Sequence, residues 1–324
     1  MANKITAGII GAAGYTGGEL IRILLQHPKI SIKYCYSRSQ HGKPISSVHT
    51  DLEGDTSLYF TNEIDTAIDV VFLCLPHKEA KPFLENLSFS PTTKIIDLSN
   101  DFRLKEDANG FVYGLPELNK EKIKKATKVA NAGCFASSIQ LALLPLASNG
   151  FLKGDIHISG ITGSTGAGVG LSETSHFSWK NNNVSVYKAF THQHIGEIGE
   201  SLSQLQPNFN SDIFFIPYRG NFTRGILITA YTEYDGTIEE AKELYKTFYK
   251  NEPFTIISEK NIHLKQVVNT NKCLIYLEKH GNKLMIISAI DNLVKGASGH
   301  AIQNMNLMFG FDETEGLKLK PVAY

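Results

Sequence analysis

The chain is short of cysteine, of net charge and of long apolar runs, and each shortage removes a class of protein. Four cysteines stand among 324 residues, with no C-x-x-C and no regular spacing. That excludes a disulfide-stapled scaffold, argues against a structural zinc site and points to a reducing compartment. Lysine plus arginine number 32, as do aspartate plus glutamate, for a formal net charge of +0. No basic block is available to neutralise a phosphate backbone, so no nucleic-acid partner is expected. No apolar run approaches the roughly 20 residues a bilayer span needs, and no membrane partner is expected either. The opening residues, Met1-Ala2-Asn3-Lys4, lack the regions of a secretory signal. The cytoplasm is therefore the expected compartment, and the sequons at Asn86, Asn183 and Asn221 carry no meaning there.

What is present reads as two folded domains, on a prior of about 150 residues each. Residues 4–10 form an apolar run feeding into glycines, and residues 16–26 carry Leu20, Ile23 and Leu24 at helical spacing before Pro28. Further strand-like runs at 30–36, 69–75, 94–98 and 127–130 alternate with helix-like or irregular segments, the pattern of a doubly wound parallel α/β sheet. Past Ser148-Asn149-Gly150 the texture changes to alternating stretches at 157–162, 213–217, 226–231 and 284–289, which suit an α+β domain with a mixed or antiparallel sheet. Two helices interrupt it: one with an Ile195, Ile198, Leu202, Leu205 stripe, and one over 238–250 opened by Thr237 and Glu240 at capping-box spacing. A last helix spans 299–309. The expected division is 1–148, a nucleotide-binding domain, and 149–297, a catalytic and dimerisation domain, with about 298–324 packing back on the first.

Gly11, Gly14 and Gly17 sit between the first strand and the first helix, where glycine lets the backbone approach a pyrophosphate at a helix N-terminus. With Tyr15 and Thr16 they make a candidate dinucleotide site, the plain alternative being a tight strand-to-helix turn. At the end of the second strand stand Ser37, Arg38 and Ser39 with no carboxylate beside them. An acidic residue there would bind a ribose 2′-hydroxyl and an arginine a 2′-phosphate, so NADP(H) is the expected cofactor. A merely solvated Arg38 is the alternative.

Cys35, Cys74 and Cys273 fall within strand-like runs and read as packing. Cys134 differs: it follows Asn131-Ala132-Gly133 and precedes an apolar helix over 135–146. A thiol at a helix N-terminus is favoured as thiolate, which suits a nucleophile. A base is offered by Thr191-His192-Gln193-His194-Ile195-Gly196-Glu197. His194 and Glu197 share one helical face, so the carboxylate can orient the imidazole, and His192 lies in the preceding loop. Histidines that only cap the helix are the alternative, and no third ligand supports a metal. Arg103 is a candidate phosphate clamp, while Arg219 and Arg224 are candidates for carboxylate or phosphate. The run 163–170, Gly-Ser-Thr-Gly-Ala-Gly-Val-Gly, reads as a flexible substrate loop.

The sequence resembles the N-acetyl-γ-glutamyl-phosphate reductases, relatives of aspartate-semialdehyde dehydrogenase. The likeness runs nearly end to end, through GAAGYTGGELIRIL (11–24), IDLSNDFRL (96–104), YGLPEL (113–118), NAGC (131–134), HQHIGEI (192–198), RGIL (224–227) and DNLVKGASGHAIQNMNL (291–307). It implies a Rossmann-type domain followed by a catalytic domain, Cys134 as nucleophile and acid/base help from the histidine segment. It also implies NADPH with Asn304 near it, an acyl phosphate as small-molecule substrate in arginine biosynthesis, and a homodimer or homotetramer. Ala132, Phe135-Ala136-Ser137, Gln193, Gly196 and Tyr218-Arg219-Gly220-Asn221 depart from the family's usual residues. The extra Arg219 makes an N-succinyl substrate the alternative to N-acetyl. Another phosphorylating semialdehyde dehydrogenase and a non-enzymatic NADP sensor are the rival readings.

Overall fold

The computed structural model describes residues 4–322. The chain divides into two compact units, one running up to Gly133 together with Ala297–Lys318, the other comprising Cys134–Gly296 and the stretch from Leu319.

In the first unit, β1 (Ile5–Ile10), β2 (Ile30–Tyr36), β3 (Phe60–Thr61), β4 (Val70–Leu73), β5 (Lys94–Asp97), β6 (Val112–Gly114) and β7 (Lys128–Asn131) form one sheet in the order β3-β2-β1-β4-β5-β7-β6. All six pairings are parallel. Between strands lie α1 (Tyr15–Leu24), α2 (Ala80–Asn86) and α3 (Pro116–Lys125). Strands covered on both faces must be apolar throughout rather than alternating. Val70 to Leu73 and the last four residues of β1 are accordingly all buried. The sheet is Rossmann-type, and its order reverses between β1 and β4, the place where such sheets open a crevice for a ligand. The glycine turn follows β1 directly.

The second unit opens with α4 (Cys134–Ser148) and holds α5 (Phe177–Lys180), α6 (His194–Leu205) and α7 (Ile238–Phe248). Its mixed sheet contains β8 (Ile156–Thr162), β9 (Ser185–Val186), β10 (Ile213–Arg219), β11 (Ile226–Glu233), β12 (Thr255–Ile257), β13 (Cys273–His280) and β14 (Lys283–Ile290), ordered β12-β13-β14-β11-β8-β10-β9. α4 is the axis of this unit. Every residue from Phe135 to Ala147 is buried, against β11, β14, α6 and α7. Pro145 has no N–H to offer the carbonyl of Leu141 one turn back, and that buried acceptor is satisfied instead by the Tyr249 hydroxyl at 2.5 Å. The expected capping box at Thr237 and Glu240 is formed, with both reciprocal bonds present. β11 shows why the sheet is one-sided: Ile226, Ile228, Ala230 and Thr232 are buried while the alternate positions are not.

Two sequence expectations change. Residues 134–148, grouped by sequence with the first domain, belong to the second unit. The run 163–170 is not a loose loop: Ser164–Ala167 form a 3₁₀ turn whose Ser164 and Thr165 N–H groups donate to the carbonyls of Phe222 and Thr223. Finally α8 (Gly299–Met308), wholly buried, returns to the first unit and packs on α1 and α3.

Candidate functional site

The glycine turn is built by close approach. Gly11 has φ +79, and a Cβ on it would collide with the carbonyl of Cys74. A Cβ on Gly17 would lie 2.6 Å from the oxygen of Ala12. Gly14 is different: its Cβ would meet the protein only at 3.6 Å, an ordinary contact. Packing therefore demands glycine at 11 and 17, whereas at 14 it leaves open space beside the helix end. No side chain caps α1, so the N–H groups of its first turn are left for a ligand, and the macrodipole makes that ligand an anion. Thr16 is pinned, its carbonyl accepting the Ser298 hydroxyl at 2.8 Å. Tyr15 stands half exposed beside it.

At the end of β2, Ser37 is buried and donates its N–H to the Thr61 carbonyl, while Arg38 reaches out to Glu79 at 2.9 Å. Arg38 is 73% exposed in its side chain and Glu79 44%, so this is a weak, exchangeable ion pair. Arg103 is buried, its Nε donating to the Asn131 carbonyl at 2.9 Å and its Nη2 to that of Leu98 at 3.1 Å. Near it Asp97 is fully buried and accepts the Ser99 hydroxyl at 2.7 Å. Burial pushes its carboxyl up to about 6, against the opposing pull of the Ser99 hydrogen bond and the Arg103 charge. Asn304, on α8, donates to the Gly114 carbonyl and to Asn131 Oδ1 at 3.0 and 2.9 Å. Its Oδ1 is buried without a hydrogen-bond partner among the described residues. A buried acceptor left open in a polar network fits a ligand donor such as a carboxamide.

In the second unit, Cys134 is the first residue of α4 and is part-exposed, unlike buried Cys35 and Cys273. Gly296 lies against it so closely that a Cβ there would fall 2.8 Å from the cysteine Cβ. Burial pushes the Cys35 and Cys74 thiols up to about 12, so neither is a nucleophile at neutral pH.

His194 begins α6, with Nε2 3.7 Å from the Glu197 carboxylate, both buried. His192 lies just before it, its Nδ1 accepting the His194 N–H at 3.2 Å. Phe135, Tyr187, Phe215 and His194 surround His192, with ring centroids 5.8, 5.8, 5.4 and 4.6 Å away. This apolar box and, next, the Lys188 charge lower its pKa to about 4, so the imidazole is neutral at pH 7.

Arg219 stacks on Tyr187, its Cζ 4.5 Å from the ring centroid, and donates from Nη1 to Thr174 at 2.5 Å. Burial, followed by the Arg219 charge, lowers the pKa of Lys180. Tyr187 is raised, chiefly by burial and then by the Cys134 charge. One cluster in this unit thus gathers the thiol end of α4, both histidines, Tyr187 and Arg219. Arg224 Nη2 lies 3.0 Å from the buried carboxylate of Asp291, whose carbonyl accepts the N–H of Gly296, the glycine packed against Cys134. Tyr187, Gly296, Asp97 and Lys180 were not singled out in the sequence. Tyr187 lies in an irregular stretch with no periodicity, and pattern offers no signal for it.

Residues 6–126 match the family model for the semialdehyde dehydrogenase NAD binding domain, and residues 134–292 that for the semialdehyde dehydrogenase dimerisation domain. The N-acetyl-gamma-glutamyl-phosphate reductase of Christiangramia forsetii is 59% identical over 316 residues, 98% of each chain. That of Flavobacterium johnsoniae is 60% identical, over 99% of this chain and 100% of its own. Among solved structures, aspartate semialdehyde dehydrogenase II from Vibrio cholerae, complexed with ASA, superposes with a TM-score of 0.74 at 13% identity, over 95% of this chain and 99% of that one. Aspartate semialdehyde dehydrogenase with NADP from Candida albicans gives 0.72 at 13%, with the same coverage. At such identity these structures show a shared fold.

Proposed function

The chain belongs to the N-acetyl-γ-glutamyl-phosphate reductase family, and from that premise we propose that it reduces an N-acyl-γ-glutamyl phosphate to the 5-semialdehyde, releasing phosphate, with Cys134 as the nucleophile. The observation that carries this reading is a part-exposed cysteine opening a 15-residue helix in a unit that also presents a neutral imidazole. The thiolate attacks the acyl carbon, phosphate departs and a thioester remains. Bound nicotinamide cofactor supplies the hydride for the thioester carbonyl. His194, oriented by Glu197, protonates the resulting oxyanion to a thiohemiacetal. His194, left neutral by that step, takes the hydroxyl proton back as the C–S bond breaks, which frees the aldehyde and regenerates the thiolate, while neutral His192, its Nδ1 held by the His194 N–H, keeps its proton on Nε2 as a donor beside them. Arg103 holds the phosphate group. Arg219 holds the substrate carboxylate, and Arg224, kept rigid by Asp291, shapes the segment that follows it. Cys134→Ser abolishes turnover while cofactor binding persists; retained turnover would reject the nucleophile.

The cofactor in this reading is NADP(H), held by Gly11, Gly14 and Gly17 with Tyr15 and Thr16. Arg38, with Ser37 beside it, would exchange Glu79 for the 2′-phosphate, and Asn304 Oδ1 would accept from the nicotinamide carboxamide. The pathway is arginine biosynthesis, and the cytoplasm is its compartment. A second reading, an N-succinyl substrate, is favoured by Arg219 standing with Lys180, two cations where one substrate carboxylate needs one. Equal kcat/KM for the succinyl and acetyl substrates would dismiss it.

The protein is a homodimer or homotetramer through the open face of its mixed sheet. There His157 stacks between Phe214 and Tyr231, with centroids at 5.2 and 4.9 Å, beside a hollow of about 280 Å³. Tyr231 and Phe190 are 44% and 55% exposed. A contiguous aromatic patch of this kind marks a contact surface.

A further inference from the structure

His49 lies 37 residues beyond the glycine turn, between two short 3₁₀ turns, Ile45–Ser47 and Thr50–Leu52. Its Nε2 is 2.8 Å from the carbonyl oxygen of Ala12, inside the turn. A carbonyl only accepts, so Nε2 carries the proton and donates. The ring also lies against the start of α1: a Cβ on Gly18 would sit 2.5 Å from His49 Nδ1 and 2.6 Å from Cε1. Gly18 is a glycine because this ring occupies the space its side chain would fill. Gly17, by the same test, lets the helix close onto the same Ala12 carbonyl, 2.6 Å from a Cβ placed there. Two neighbouring glycines and one histidine thus converge on a single peptide group.

The orientation of that peptide matters because a trans peptide is planar and its C=O and N–H point in opposite directions. Fixing the Ala12 carbonyl toward His49 therefore aims the Ala13 N–H the opposite way, away from the histidine. In a turn that binds phosphate through backbone N–H groups, the direction of each N–H sets the fit. We propose that His49 is a positioning residue for the dinucleotide: it locks the Ala12–Ala13 peptide so that the glycine turn is preformed for a pyrophosphate. This rests on the reading of the first unit as the NADP(H) site. The contacts of His49 with Ala12, Gly18 and Phe60 all lie within the first unit, so its effect falls on cofactor binding and not on the chemical step.

The test is NADPH titration by fluorescence, with steady-state kinetics, on the full-length wild type, His49→Ala, His49→Gln and Gly18→Ala. Loss of one net hydrogen bond predicts a Kd and KM for NADPH raised about 3- to 10-fold in His49→Ala. kcat at saturating NADPH and KM for the acyl phosphate stay within about two-fold of wild type on the same reasoning. Gln places an amide N–H near the imidazole donor and recovers most of the affinity. Gly18→Ala displaces the ring and reproduces the His49→Ala effect without altering the histidine, so the proposal remains testable if one variant is poorly folded. Unchanged NADPH affinity in both His49→Ala and Gly18→Ala overturns it, and so does a fall in kcat equal to the rise in Kd. A wild type that binds no NADPH overturns the functional reading itself, whereas a wild type that binds NADPH no better than His49→Ala overturns this proposal alone.

Discussion

Asp97→Asn makes the sharpest physical prediction. The wild-type carboxyl is fully buried at the end of β5, and its pKa is raised from 3.8 to about 6, so burial outweighs the Ser99 hydrogen bond and the Arg103 charge. A rise of about 2.2 units is worth about 3 kcal/mol at 1.36 kcal/mol per unit. The folded state binds this proton more tightly than the unfolded chain, so between pH 3.8 and about 6 it carries more protons. The group's contribution to stability therefore falls as pH rises through that window, and the full penalty is present above it. Asparagine keeps an acceptor for Ser99 and carries no charge to desolvate. The stability of Asp97→Asn relative to wild type should then rise by about 2 kcal/mol between pH 4.5 and 8, the part of the 3 kcal/mol lying in that range. Urea unfolding across this range, read by hydrogen exchange in peptides covering β5, measures the difference. A stability gap independent of pH, or one that moves the other way, would refute the reasoning.

Other expectations concern single residues. Arg38→Ala raises KM for NADPH about 10-fold or more and leaves KM for NADH nearly unchanged, as loss of one charge-assisted contact to a 2′-phosphate requires; equal effects on both cofactors would show that Arg38 does not read the phosphate. His192, with its pKa lowered from 6.5 to about 4, stays neutral through most of the acid range. Its contribution to stability is present above pH 6.5 and is lost as pH falls toward 4. An NMR titration of its Cε1 proton with a midpoint near 6.5 would contradict the apolar box. Tyr231→Arg puts like charges into the proposed symmetric interface and shifts sedimentation toward the monomer; an unaltered assembly would place the interface elsewhere.

β4 and the end of β1 were legible from sequence because burial on both faces leaves no polar interruption; β2 was legible to the residue although its Ser31 and Lys33 are exposed, since apolar and aromatic residues still dominate the run. Strands such as β3 and β6, of two and three residues, have too little length to show any period. The start of α4 was visible from the turn residues before Cys134. Its allegiance was not: a helix buried all round carries no stripe to say which sheet it covers. α8 presents the same difficulty, with His300, Gln303, Asn304 and Asn306 buried alongside its apolar residues. The histidine segment and the glycine turn were legible because their chemistry lies within seven residues of sequence. Tyr187 and His49 act on partners far along the chain, and only tertiary structure brings them there.

The thioester is the most direct test. Wild-type protein mixed with the acyl phosphate in the absence of NADPH, quenched in acid and digested, should yield a peptide whose Cys134 carries the N-acylglutamyl group in thioester linkage, labile to hydroxylamine and lost when NADPH is added before the quench. An unmodified Cys134, or acylation of Cys35, Cys74 or Cys273 in its place, would contradict the account.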